Sequence, residues 1–363
     1  MLVSIIICTR NRADNLGLTL ESIGKADIPP GWNVELLVVD NGSKDHTHSI
    51  VKAARLNNVV LRYVNEPTLG VNYARNTGLR ETTGEIVLWT DDDIRVPTNW
   101  VEAMCQPILQ HGADAVSGGV IFPPGIAAEM SQQLFASLGS WFASTDDLDP
   151  IHPARMVGAN MAFHRRVLDR VPNFDVELGP GPHSTGCGSE TMFSWQLLAA
   201  GYTVAGALEV AVEHHFDLRR LNAERLIGVA HQMGRTHAFI FHHWEHKRSR
   251  FAYPRLIFSK AKEWCRRGLR LMTSGEAKLS LLTLRVEEQQ AFYQGYLALC
   301  HLPRKYSFHG LSPLAKKPLG QFVKSDASRG GQSRNSRLQP STHSYAPVPS
   351  NCTPDHPLTS AVD

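Results

Sequence analysis

Residues 87 to 97 read VLWTDDDIRVP, three consecutive aspartates directly after an apolar, β-branched run. Carboxylates held side by side repel one another strongly wherever water is scarce. A divalent cation removes that repulsion, and hard oxygen donors select magnesium or manganese. Such an ion keeps several waters and draws its remaining ligands from a phosphorylated substrate. The competing reading is a solvated acidic turn. Position at the end of a strand favours the metal. A second cluster, HHWEH at 242–246, matches H-x-x-E-H with His242 and His246 on one helical face. With 17 histidines in the chain a chance match is unsurprising, and structural or surface histidines are the better reading. A third region, 247–270, holds nine Lys or Arg and one acid, Glu263. Ile257, Ala261, Trp264, Gly268 and Leu271 recur among those charges at helical spacing. This is the pattern of a membrane-surface helix, or equally of a helix packed on the body of the protein with a solvated basic face.

The elements that must position the aspartates alternate along the first 120 residues. VSIIIC (3–8), VELLVVD (34–40), VVLRYV (59–64) and EIVLWT (85–90) read as buried strands. Between them lie a helix with Leu16, Leu20 and Ile23 on one face, a helix through Ala54 after the turn NGSKD, and a helix over 70–83. Such alternation predicts an α/β fold, a mostly parallel sheet flanked by helices. Ligands of such sheets bind outside the carboxyl ends of the strands, where Thr9, Asp40 and Asp91 to Asp93 fall. Further on, 115–122, 156–165 and 203–215 read as strands, 190–202 as a helix, and 217–300 as helical throughout. From Ser312 onward the composition predicts a disordered tail.

Composition excludes several classes. The 42% hydrophobic and 20% charged content describes a globular protein with a core. A net charge of +3, with no aromatic platforms or overall basic bias, argues against a nucleic-acid partner. Six scattered cysteines without a CxxC pair favour reduced thiols and a cytoplasmic setting. The opening MLVSIIICTR lacks the basic leader and apolar length of a signal peptide. No apolar run is long enough to cross a membrane, so any membrane contact is expected to be peripheral, at the inner face.

Four stretches, VSIIICTRNRADNL, LLVVDNGSKD, GVNYARNTGLRETTGEIVLWTDDD and GANMAFHRRVLDRVPNFDVELG, occur in an order and spacing that resembles glycosyltransferase family 2. With the Ser-Glu helix at 189–202, the likeness covers residues 1–216. It implies an A-type, Rossmann-like nucleotide-diphospho-sugar transferase domain over 1–216, followed by a helical region at 217–311 and the tail at 312–363. The activity it implies is inverting transfer of a sugar from a nucleotide-diphosphate donor to an acceptor hydroxyl, on a glycan or lipid-linked acceptor in polysaccharide assembly. Thr9 and Arg10 would wall the base, Asp40 would accept from base or ribose, and Arg75 and Asn76 would lie by the base and diphosphate. Asp91 and Asp93 match the two acidic positions of the DxD motif, Asp93 as direct metal ligand and Asp91 reaching the ribose or sharing the ion. Asp92 would lie beside the nucleotide or point away. Either His214 or His215 would be a third metal ligand or a diphosphate contact, only one of an adjacent pair on a strand facing the site. Asn160 would line the sugar or acceptor pocket, or be a buried, satisfied amide. Where the family carries Glu-Asp, this chain has Ser189-Glu190. Glu190 takes the position of the base, and the departure leaves a non-catalytic nucleotide-sugar binder as the alternative.

Overall fold

In the computed structural model, residues 1–130, 132–151, 153, 155–272, 279–307 and 310–311 are described; the segment 312–363 lies outside them. Strand β1 (Leu2–Thr9) is followed by α1 (Ala13–Gly24), β2 (Asn33–Asp40), α2 (Thr47–Ala53), β3 (Val59–Asn65) and α3 (Val71–Glu81). Then come β4 (Ile86–Thr90), β5 (Ile94–Arg95), α4 (Trp100–His111) and β6 (Ala115–Ile121). Two short helices, α5 (Pro124–Met130) and α6 (Gln133–Ala136), precede β7 (Asn160–His164), α7 (Ser189–Ala199) and β8 (Val204–His214).

Among the described residues the eight strands form one sheet in the order β3-β2-β1-β4-β7-β6-β8-β5. The first four are mutually parallel, β7 runs against both neighbours, and β6 and β8 are parallel. Strand periodicity sends alternate side chains to opposite faces. Ile5, Ile7, Leu36, Val38 and Leu88 pack against Leu16 and Leu20 of α1 and Trp100 and Met104 of α4. Ile6, Leu37, Val39 and Trp89 pack on the other face against Ala74 and Leu79 of α3 and Phe193 of α7. Both faces are therefore buried, as the near-continuous apolar strands require. One strand is shorter than expected. The stretch 156–165 is extended only from Asn160, because Asn160 N–H turns back to the Val157 carbonyl and Met156 N–H donates to Ser194 Oγ.

The region after β8 is helical: α8 (Ala223–Phe239), a π-helical turn at Ile240–Trp244, α9 (Ala252–Met272) and α10 (Leu281–Leu299). Asn222 and Ser280 cap the starts of α8 and α10 by accepting from Arg225 N–H and Thr283 N–H. Ala238, Ala252, Leu256, Phe292 and Tyr296 join these helices in a second core.

Candidate active site

The acidic triplet sits in the turn from β4 to β5, at the carboxyl edge of the sheet. Thr19 on α1 fixes its backbone by donating to the carbonyls of Asp92 and Ile94 at 2.8 and 2.9 Å. Asp92 is buried and does not point away. It accepts from Thr9 Oγ1 at 2.7 Å and from Arg12 Nη1 at 2.9 Å. The same Arg12 nitrogen donates to Asp93 Oδ2 at 2.8 Å. Pairing of Ile94 with His214 brings β8 alongside, and His214 Nε2 lies 3.4 Å from Asp93 Oδ1. His214 is thus the member of the pair that faces the site. His215 turns to Glu213, its backbone N–H donating to the Asp93 carbonyl.

The three carboxyls differ in charge. Burial, with the Asp93 charge beside it, pushes Asp91 above the usual carboxylate range. Burial likewise pushes Asp92 up to about 6, against the pull of Arg12. Asp93 feels the same burial, but His214 and Arg12 outweigh it and hold the carboxyl well below its usual value. Asp93 Oδ1 is nevertheless buried without a hydrogen bond. An orphaned, ionised oxygen among hard donors fits a divalent cation. Among the described residues no group of three or more His, Cys, Asp or Glu side chains is placed to hold an ion alone. Desolvation pushes the nearby Cys8 thiol up to about 12, away from the thiolate form.

Glu190 opens α7. Gly188, at φ 87°, turns the chain into the helix, and Ser189 accepts from Asn72 Nδ2 at 2.9 Å. The Glu190 carboxylate is ion-paired with Arg75 Nη2 from α3. That guanidinium is buried over the rings of Trp89 and Phe174, 5.8 and 5.2 Å from their centroids. Burial would raise the Glu190 carboxyl, but Arg75 prevails and holds it below the usual range. Arg75, expected beside the nucleotide, is thus committed to Glu190.

Asp40 ends β2 opposite Thr9 of β1. Its oxygens accept from Ser43 N–H and Tyr63 Oη, both at 2.8 Å. Arg10 is exposed at the rim. Asn160 does not line a pocket: it has no exposed surface and is held by Trp100 Nε1, the Gly119 carbonyl and the Val210 carbonyl. Asn76 likewise has both amide atoms engaged by the Phe174 backbone. Asn160 ties β7 to α4, β6 and β8, and Asn76 holds the loop at Phe174.

Three residues escaped the sequence reading. Arg12, two residues past the matched Thr9-Arg10 pair, is the cation that bridges Asp92 and Asp93. Arg220 stacks on Phe142 and Phe216 and directs its charge toward Asp93. A Cβ on Gly158 would lie 2.6 Å from Glu190 Oε1 and 3.0 Å from Arg75 Nη2. The only sequence hints were an arginine just beyond a strand end and the glycine of GANMAF. The zinc pattern dissolves. His246 has φ 55°, outside any helix, and the rings of His242 and His246 donate to the carbonyls of Leu302 and Tyr306.

The glycosyl transferase family 2 model matches residues 4–171. Glycosyltransferase AglE of Haloferax volcanii is 27% identical over 212 residues, covering 57% of this chain and 65% of that protein. The glucosyl-dolichyl phosphate glucuronosyltransferase of the same organism is 26% identical over 187 residues, covering 49% of this chain and 58% of that protein. The chain spans less than two thirds of the length of either relative. Among solved structures, the mannosyltransferase PcManGT from Pyrobaculum calidifontis, in complex with GDP-Man and Mn2+, matches with a TM-score of 0.48 at 19% identity, covering 82% of this chain and 70% of that one.

Proposed function

Because this chain carries a glycosyltransferase family 2 domain over residues 4–171, we propose that it is an inverting, metal-dependent glycosyltransferase that moves a sugar from a nucleotide diphosphate to an acceptor hydroxyl. The observation that carries this reading is the approach of two unlike acidic groups, the aspartates after β4 and the Arg75-paired Glu190 of α7. Asp91 lies within electrostatic reach of both Arg75 and Glu190. Asp93, with Asp91 or His214 beside it and the diphosphate of the donor, would hold magnesium or manganese, which when bound neutralises the charge gathering on a departing nucleoside diphosphate. Thr9, Asp40 and Asp92 supply polar groups at the nucleotide end. Glu190, kept ionised by Arg75, takes the proton from the acceptor hydroxyl as that oxygen attacks the anomeric carbon from the face opposite the leaving group. A single displacement of this kind inverts the centre. The name of the glucuronosyltransferase relative supports a lipid-linked acceptor in glycan assembly.

The test is a screen of nucleotide sugars for metal-dependent donor hydrolysis and transfer, followed by Asp93→Asn. That variant is expected to lose ~100-fold or more of turnover while keeping its circular dichroism spectrum; unchanged turnover rejects the role. One observation favours a second reading, a non-catalytic nucleotide-sugar binder: the Glu190 carboxylate is already latched to Arg75. Donor binding without hydrolysis or transfer across the screen would establish it.

A further inference from the structure

Helix α9 presents two dissimilar sides. Ala252, Leu256 and Ser259 are buried against α8 and α10, so one side already has its partners. Tyr253, Ile257, Ala261 and Trp264 follow at the i, i+4, i+8, i+11 spacing of a second stripe, and Pro254 and Phe258 broaden it. This second stripe is not packed on the protein. Tyr253 is 64%, Ile257 50%, Phe258 71% and Trp264 78% exposed, and Phe251, just before the helix, is 64% exposed. Large apolar side chains that stay together in water mark an interaction surface. Of the two readings of this stretch, packing on the body of the protein through Ile257 and Trp264 does not hold, since both side chains are exposed.

The charges follow the same geometry. Lys260 lies between the Leu256 and Ile257 stripes, and Lys262 lies between Phe258 and Ser259. Both lysines are exposed, as are Arg248 and Arg250 on the approach to the helix. An apolar stripe with aromatic residues, bordered on both sides by lysines, is what a helix lying in a bilayer interface presents. The rings enter the acyl boundary while ammonium groups stay at the level of anionic headgroups. Among the described residues no helix is long and apolar enough to cross a membrane. We propose that α9 is a peripheral docking element that binds the surface of an anionic lipid bilayer through Tyr253, Ile257, Phe258 and Trp264, with Lys260 and Lys262 as its electrostatic border. An anionic lipid surface uses both features at once.

The experiment is co-flotation of the full chain with vesicles of phosphatidylcholine alone or mixed with phosphatidylglycerol, across a salt series. The expected result is binding to the anionic vesicles that weakens as salt rises. Phe258→Ser with Trp264→Ser is expected to lower the partition coefficient ~10-fold or more. Lys260→Glu with Lys262→Glu is expected to abolish the preference for phosphatidylglycerol. All four residues are exposed, and a circular dichroism melt verifies that each variant is folded. Equal binding by the serine variant, or no binding to either vesicle, overturns the proposal. So does sedimentation as a dimer that the serine variant converts to monomer, which would give the stripe to a second copy. Flotation needs neither donor nor acceptor, so this result stands or falls independently of sugar transfer.

Discussion

Among the described residues, two stretches rich in side chains of metal-binding type, 91–93 and 242–246, have opposite fates. In the turn after β4, carboxylates from one short stretch meet Arg12 at the start of α1, His214 of β8 and the Arg220 charge, and Asp93 still keeps a buried oxygen without a hydrogen bond. In the π-helical turn at 240–244, His242 and the neighbouring His246 donate to backbone carbonyls, while His243 Nδ1 accepts from Lys305 N–H. Burial pushes His243 down to about 4, so its ring stays neutral and suited to accept that bond. Residue type alone does not distinguish the two places. Partners do: backbone groups satisfy a polar side chain completely and close it to chemistry, whereas opposed charges leave it unbalanced and responsive.

The contrast breaks most sharply at Glu190. Glu190→Gln retains an amide that can face Arg75 but removes the proton acceptor, so kcat is expected to fall ~10²–10⁴-fold. A stopped assay with the donor identified by the screen measures it, and retention of full kcat would place the base elsewhere. A smaller effect separates Arg75 from a purely structural group. Glu190 lies below its ordinary value of ~4.3, so the contribution of its ion pair to stability is present above that range and is lost as pH falls through the lowered folded value. Arg75→Met leaves burial unopposed and raises Glu190. The acid limb of kcat/KM is then expected to move to higher pH, with Arg75→Lys intermediate. An unmoved limb would show that the pair does not govern the base. The smallest effect is reserved for the histidine turn. His242→Ala leaves the Leu302 carbonyl without its donor and is expected to cost ~1–3 kcal/mol in denaturant unfolding, with kcat within ~2-fold of the parent, since its role is that of an ordinary buried hydrogen bond. Loss of transfer together with loss of bound zinc would reverse the contrast between the two clusters.

How much of this was legible beforehand depended on the range of the interaction. The four parallel strands were readable because β-branched residues such as Ile5 to Ile7 and Val38 to Val39 face a buried layer on either side. The rim position of Thr9, Asp40 and the aspartates followed from those strands. The two-residue β5 was not readable, being defined only by its pairing with Glu213 and His214. Asn160 could be read as a pocket residue or a satisfied amide, and the choice required Trp100, Gly119 and Val210, which lie far from it in sequence. The commitment of Arg75 to Glu190 spans 115 positions and has no local signature. In the same way, the stripe on α9 was visible as periodicity, while which side of the helix was already covered depended on α8 and α10.

Gly158 has a consequence for anyone reshaping this site. The contact between Arg75 and Glu190 occupies the volume where a methyl group at 158 would stand. A side chain there would press first on Glu190 and its counter-ion Arg75, so under the proposed chemistry changes in selectivity and in rate would arrive together. Directed-evolution libraries aimed at altering the acceptor alone should hold this position fixed and vary the exposed rim.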